Sequence, residues 1–386
     1  MTFINRAGTM VLPFLSKYLY EDLHFDYDKI GWVMFFFGIG SMIGSWLGGK
    51  LSDKIGFYKI MIFSLLTSGL SFFILQYITS YIGFCIGIFL IMCIADMFRP
   101  AMFVSLGAYA KKENRTRALT LVRLAINLGF AAGPAMGGLI IMNIGYKGLF
   151  WVDGATCIFA ILIFWYFVKE KKHSKFTDKE HPGDVLTHSV FKDKVFWVFL
   201  TSCTITGILF FQLFTTLPLY HKIQFNLTEF QTGLLIMMNG LLIFFLEMPI
   251  VSYVERKQIT KLKVVILGTI CMSISLYLML IEQWAGILII MMLFMTFGEM
   301  FAFPFSNSIA MSRAPKGHEG RYMAIFTMSY SLAHILSGKV GFSIVDYYHN
   351  DYQPNWFFMG TLGLIGVFFG VWTYNLAQKE KQTIHQ

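Results

Sequence analysis

Long apolar runs, each about one bilayer crossing in length and each ended by a short charged turn, dictate what this chain can fold into. Residues 31–48 and 60–77 are two of them, with the polar turn 49–59 between. A helix rises about 1.5 Å per residue, so about 20 residues cross the roughly 30 Å of a bilayer core. Of 386 residues, 56% are hydrophobic and 14% charged, whereas a soluble domain carries about 25% charged residues. The runs are continuous rather than alternating, which argues against a membrane β-barrel. Twelve spans are drawn, at about 1–20, 28–49, 59–78, 82–109, 117–142, 149–168, 194–219, 229–253, 263–282, 285–311, 320–345 and 355–377. The expected fold is an all-α membrane protein of twelve transmembrane helices.

The turns alternate in charge. Those at 50–59, 111–117, 169–194, 256–263 and 313–321, with the tail, hold 23 of the 31 Lys and Arg. The opposite set holds Lys29, Lys147 and Lys222, with Lys17 at the end of span one. Basic turns stay in the cytoplasm, so both termini are expected there, in a multi-pass protein of the cell (inner) membrane. The net charge of +9 is therefore a topology signal and does not point to nucleic acid. Residues 169–193 form the one long polar stretch. We read them as a cytoplasmic linker, with a short surface helix near 184–191, between an N-terminal lobe at 1–168 and a C-terminal lobe at 194–378. A cytoplasmic tail at 379–386 follows. The chain opens inside span one, so we expect that span to continue upstream of Met1. The five cysteines all lie in apolar runs without metal-ligand spacing, and no Gly-x4-Gly-Lys-Ser/Thr run occurs. No metal and no cofactor are expected.

The two lobes repeat weakly but in one order. Leu12-Pro13 followed by Gly31 is echoed by Leu217-Pro218 followed by Gly233. Asp53-Lys54 falls on Glu255-Arg256, Asp96-Met97-Phe98 on Glu299-Met300-Phe301, Arg117 on Arg321 and Gly137 on Gly341. The repeat implies two parallel, pseudo-symmetric six-helix lobes.

The turn after span two reads Gly49-Lys-Leu-Ser-Asp53-Lys54-Ile-Gly56-Phe-Tyr-Lys59. Gly49 and Gly56 are expected to allow close backbone approach. The pattern resembles the loop signature of the major facilitator superfamily of secondary transporters. That resemblance implies that Asp53, with Lys54 and Lys59 as basic neighbours, helps lock the two lobes on the cytoplasmic side. Many members carry a basic residue where this chain has Phe57. Span five reads Arg123-Leu-Ala-Ile-Asn127-Leu-Gly129-Phe-Ala-Ala-Gly133-Pro134-Ala-Met-Gly137-Gly138. Gly129, Gly133 and Gly137 share one face and invite a helix to pack backbone to backbone, and Pro134 bends the span. This segment resembles the span-five signature of the superfamily's drug and metabolite antiporters.

Ionisable groups at membrane depth are functional candidates. Asp96 and Arg99 lie one turn apart in span four and suit an i,i+3 pair. By resemblance Arg99 takes the place of an arginine associated with proton coupling. Glu299, the repeat-mate of Asp96, has no basic residue one turn away. At that depth it is either a proton site or a hydrogen-bonded structural acid. His334 in span eleven is a proton relay or a satisfied core histidine. Asn5 and Arg6 resemble a recurrent start of bacterial members and are cavity candidates. Gln212 and Asn239 are polar residues that contact either substrate or a neighbouring helix. Asp153 suits the positive end of its own helix.

Together these readings give a secondary transporter working by alternating access, proton-coupled, exporting small amphipathic compounds or drugs. The alternatives are proton-coupled uptake of a peptide, sugar or organic acid and, from another class, a membrane-embedded enzyme or a transport-dead sensor. The partners expected are a small-molecule substrate, protons and the lipid bilayer, with no nucleic acid; the resemblance implies a monomer. The charge alternation predicts that Lys175→Cys is labelled by an impermeant maleimide in inverted vesicles and stays unlabelled in intact cells.

Overall fold

In a lipid bilayer every backbone N–H and C=O must find a partner inside the protein, and continuous helices satisfy that demand within each span. The computed structural model describes residues 2–109, 115–170, 190–314 and 319–384, and among them every regular element is helical. The helices are α1 (Thr2–Ala7), α2 (Val11–Glu21), α3 (Tyr27–Ile55), α4 (Phe57–Leu75), α5 (Tyr81–Ala95), α6 (Phe98–Tyr109), α7 (Arg115–Ile144), α8 (Lys147–Phe167), α9 (Lys194–Phe211), α10 (Thr216–Phe225), α11 (Glu229–Arg256), α12 (Lys261–Leu278), α13 (Ile287–Arg313), α14 (Glu319–Tyr347) and α15 (Gln353–Ile384). Three sequential pairs, α1–α2, α5–α6 and α9–α10, are interrupted spans, so the fifteen helices make twelve crossings. Ten of these stretches are long and apolar enough to cross a membrane by length and composition. Of the expected surface helix near 184–191, residues 184–189 lie outside the described residues, and 190–192 form a 3-10 turn.

The repeat is visible in where helices break. The first span is interrupted at 8–10 and the seventh at 212–215, in each case just before the Leu-Pro pair that the halves share. The turn after the second span is tighter than its polar sequence suggests. Helix α3 runs on to Ile55, and Gly56 alone, at φ +102°, separates it from α4. That backbone conformation is strained for any residue with a Cβ.

Contacts group the chain into two compact units. One holds Met1–Phe176, Leu213–Phe244 and Gly338–Tyr347; the other holds Thr177–Gln212, Phe245–Ser337 and Tyr348–Gln386. This grouping by contact is not the grouping by sequence, because α10, the first part of α11 and the last part of α14 pack with helices of the first half. In the first unit, Phe57, Met61, Met97, Phe98, Ile161 and Phe164 belong to a core cluster joining α4, α5–α6 and α8. Phe57 is 1% exposed. Its ring meets Tyr109 edge-on at 5.8 Å.

In the second unit one arginine ties three helix ends. Arg313 at the end of α13 donates to Asp193 through Nε at 2.9 Å and Nη2 at 2.8 Å, and to Glu380 of α15 through Nη1 at 2.6 Å. Asp193 also caps α9 by accepting from the Phe196 N–H at 3.0 Å, and accepts from the Tyr322 hydroxyl at 3.1 Å. Partial burial pushes the Asp193 carboxyl upward, but Arg313 and these donors outweigh it and hold it below the ordinary carboxylate range. Its contribution to stability is thus fully present above about pH 3.9 and is lost as pH falls through the lower folded-state value. Replacing Arg313 by Met is expected to destabilise the protein by about 1–3 kcal/mol, read as a lower melting midpoint in detergent. The gap between parent and variant narrows as the pH is taken down towards about 3.5; an unchanged gap would remove Asp193 from the account.

Candidate functional site

The interrupted first span concentrates polar groups. Gly8 opens the break and packs so tightly on Thr156 of α8 that a side chain there would collide with it. The freed N–H groups of Met10 and Val11 then donate to the Asp153 carboxylate at 2.9 and 3.1 Å. Asp153, expected at the start of its own helix α8, instead caps α2 from across the bundle. Nothing in the residue pattern announces this, because the break it caps is not legible in an apolar run.

On α1, Asn5 donates to Cys157 Sγ at 3.5 Å, while the Arg6 guanidinium lies over the Phe130 ring at 5.5 Å, within electrostatic reach of Asp96 and Arg99. The expected Asp96–Arg99 pair is not formed. Helix α5 ends at Ala95 and the chain turns before α6, so the i,i+3 geometry is lost. Asp96 accepts from Ser41 Oγ of α3, and Arg99 is exposed.

The span-five glycines do what their spacing promises. A Cβ on Gly129 would lie 2.6 Å from Arg6 Cβ, one on Gly133 3.0 Å from the Ala7 carbonyl, and one on Gly137 3.1 Å from the Phe14 ring. Helix α7 thus lies backbone to backbone on α1–α2. Its other face packs equally closely on α11. Gly138 meets the Glu229 and Phe230 backbone, Gly233 meets Pro134, and Gly240 meets Ala131 at 2.7 Å. Pro134 lies inside the helix, as expected. Asn127 is half-buried, and the side chain of Arg123 lies outside the description. A second stripe lies on α3, where Gly40, Gly44 and Gly48 pack on the Phe89, Cys93 and Met97 backbone. Its four-residue spacing is the same signal. Gly49, by contrast, packs on nothing: a Cβ there finds open space.

Next to the α7–α11 contact, charges join segments of both halves. Lys17 of α2 is fully buried, its ammonium 3.5 Å from Glu229 Oε1 of α11 and 3.4 Å from Thr232 Oγ1. Lys222 of α10 shares the same carboxylate oxygen at 3.6 Å and reaches Glu21 at 3.7 Å. The Tyr146 hydroxyl donates to Glu21 at 2.7 Å. Lys339 of α14 bonds Asp28 of α3 and sits over the Trp32 ring at 4.3 Å. None of these long-range pairs is legible as a spacing.

In the second unit, Glu299 is half-buried on α13. His334 on α14 is buried, stacked on Phe211 at 4.4 Å and 26°. Gln212 is not exposed to a cavity; its Nε2 donates to the Ser337 carbonyl and hydroxyl at 3.0 and 2.9 Å. Asn239 is buried on α11 in the first unit. At the turn, Lys54 and Lys59 are exposed, and Asp53 falls in the last turn of α3 with its side chain outside the description.

Interrupted helices, buried charge and two repeated halves define a multi-pass membrane transporter. A sequence model of the Major Facilitator Superfamily matches residues 1–338. The chain belongs to the major facilitator superfamily, and it is a transporter rather than an enzyme. The MFS-type transporter YttB of Bacillus subtilis is 24% identical over 90% of this chain and 87% of its own length. The Na(+), Li(+), K(+)/H(+) antiporter of Planococcus maritimus is 20% identical over 98% and 94%. Among solved structures, a peptide transporter POT in complex with sulfate superposes with a TM-score of 0.81 at 16% identity, covering 98% of this chain and 93% of that one. The nucleoside transporter NupG gives 0.74 at 16%, covering 97% and 96%. These two likenesses establish the fold.

The glycine contacts make a contrast that a melting curve reads. Gly233→Val and Gly240→Val are expected to lower stability by about 1–3 kcal/mol through forced separation of α7 and α11. Gly49→Ala, in open space within a helix, is expected to raise it by about 0.5–1 kcal/mol.

Proposed function

We propose that this protein is a proton-driven secondary transporter that exports small amphipathic compounds by alternating access across the cell (inner) membrane. The observation that carries the reading is the pair of repeat-related acids at membrane depth, Asp96 beside Ser41 and within reach of Arg6, and Glu299 half-buried on α13. A carboxylate that changes its surroundings between two states takes up and gives off a proton as it does so. The α7 stripe and its resemblance to antiporters favour export, and a cation/H(+) antiporter of similar sequence over most of its length supports exchange against protons.

In this reading the end bearing Lys17, Glu229, Asp28 and Lys339 is the outer one, and the ion pairs there favour its closure. Opening the outer end requires α7 and α11 to part and Lys17 to leave Glu229. The Asp53 turn acts at the other end. His334, stacked on Phe211, and Gln212, bonded to Ser337, serve α14 packing; Asn5 and Arg6 belong to the first-span break, where substrate is expected to approach. Phe and Met side chains supply adaptable apolar contacts.

Proton release from acid-loaded inverted vesicles, followed with a pH dye while cationic, neutral and peptide compounds are added, tests the reading. Compound-dependent release in the parent, lost by at least about tenfold in Glu299→Gln at equal expression, is the expected result. Accumulation of a compound by intact cells, with no release from vesicles, turns the reading to uptake by symport.

A further inference from the structure

We infer that His221 is a proton-binding site whose occupancy opposes closure of the Lys17–Glu229 end, so that acid on that side favours its opening. The inference rests on the alternating access proposed above. His221 lies on α10 and is 1% exposed, and neither Nδ1 nor Nε2 has a hydrogen-bond partner. Buried polar atoms are nearly always bonded, so a ring with both nitrogens unpaired stands out. Here both ring nitrogens are without a partner in the protein, and the one charge within electrostatic reach is the Lys17 ammonium.

The charged groups that the neighbouring helices bring to this end are already paired with one another. From α2 come Lys17, paired with Glu229 and Thr232, and Glu21, bonded to Tyr146 at the start of α8 and paired with Lys222. From α11 comes Glu229, whose Oε1 serves both Lys17 and Lys222. On α10 itself Lys222 is the next residue in the chain. The Lys17 ammonium is within electrostatic reach of the ring. Neither carboxylate bonds the imidazole, and an imidazolium here would be an unpaired buried cation within reach of an ammonium. The closed end therefore admits the neutral ring alone.

Opening brings the ring into water, where histidine takes a proton near pH 6.5. A ligand bound by one state only shifts the balance toward that state. Glu229 does not provide this sensitivity. It is paired with two lysines when closed, and a solvated carboxylate is also charged at neutral pH, so its protonation does not change on opening. Imidazole titration alone predicts that the open fraction rises about tenfold between about pH 8.0 and 5.5.

Thr215→Cys supplies a reporter. Thr215 is fully buried and packs on Gly338 of α14 beside Met34 of α3. The full chain, with its five native cysteines replaced, is reconstituted in liposomes with the same buffer on both sides and no substrate. Its maleimide labelling rate is divided by that of the same chain carrying His221→Gln, or His221→Asn if the first variant folds poorly, so that thiol chemistry cancels. Normalising to the chain unfolded in detergent gives the same correction without any variant. The expected ratio rises about tenfold from about pH 8.0 to 5.5. A flat ratio overturns the inference, whether the parent ignores pH or the variants share its response. An impermeant maleimide then reports the side. Entry only from the cytoplasmic face overturns the outer assignment while leaving the His221 linkage standing.

Discussion

Two backbone N–H groups, those of Met10 and Val11, are released where the first span breaks, and in an apolar medium they must be bonded. Asp153 bonds both. Much follows from that one carboxylate. It lets the first span change direction at Gly8, which places α1 against the glycine face of α7 and sends α2 on towards α10 and α11. The seventh span breaks at the corresponding place, so the two halves repeat an interruption and not merely a helix count. A transporter needs rigid elements that nevertheless meet at angles, and a capped break delivers this without leaving polar backbone exposed to lipid.

Close packing does the rest. Lipid tails are as apolar as leucine, so helices in a bilayer are held by van der Waals fit and by polar contacts more than by expulsion of water. Helix α7 is smooth on two faces. One receives α1–α2 and the other receives α11, so it is shared between the two halves of the sequence. The ion pairs lie next to this contact. Shape and charge thus hold the same end, and neither Lys17 nor Glu229 is reached easily by solvent while the glycines stay in register.

The parts legible in the sequence were those governed by periodicity and composition. The twelve crossings follow from the length of apolar runs, the α7 stripe from a four-residue spacing, and the repeat from ordered matches. The Gly40–Gly44–Gly48 stripe carried the same signal and went unread beside the neighbouring polar turn. What could not be read depended on chain reversals. The Asp96–Arg99 pair assumed an unbroken helix, and a break at Asp96 moved its partner to Ser41. Gly49 was assigned a close approach because it began a polar turn, whereas α3 continues for another six residues and Gly56 alone makes the reversal. Lys17 and Glu229 are more than two hundred residues apart, and neither announces the other.

The two sets of ion pairs that join segments of both halves differ in their access to salt. The Lys17 side chain is 0% exposed, whereas Asp28, the partner of Lys339, is 51% exposed. Dissolved ions screen charges over about 8 Å at physiological strength, but only where they can approach. Ionic strength therefore acts on the Asp28–Lys339 contact and leaves the Lys17–Glu229 contact nearly untouched. Of the two contacts, one is salt-sensitive and the other salt-blind.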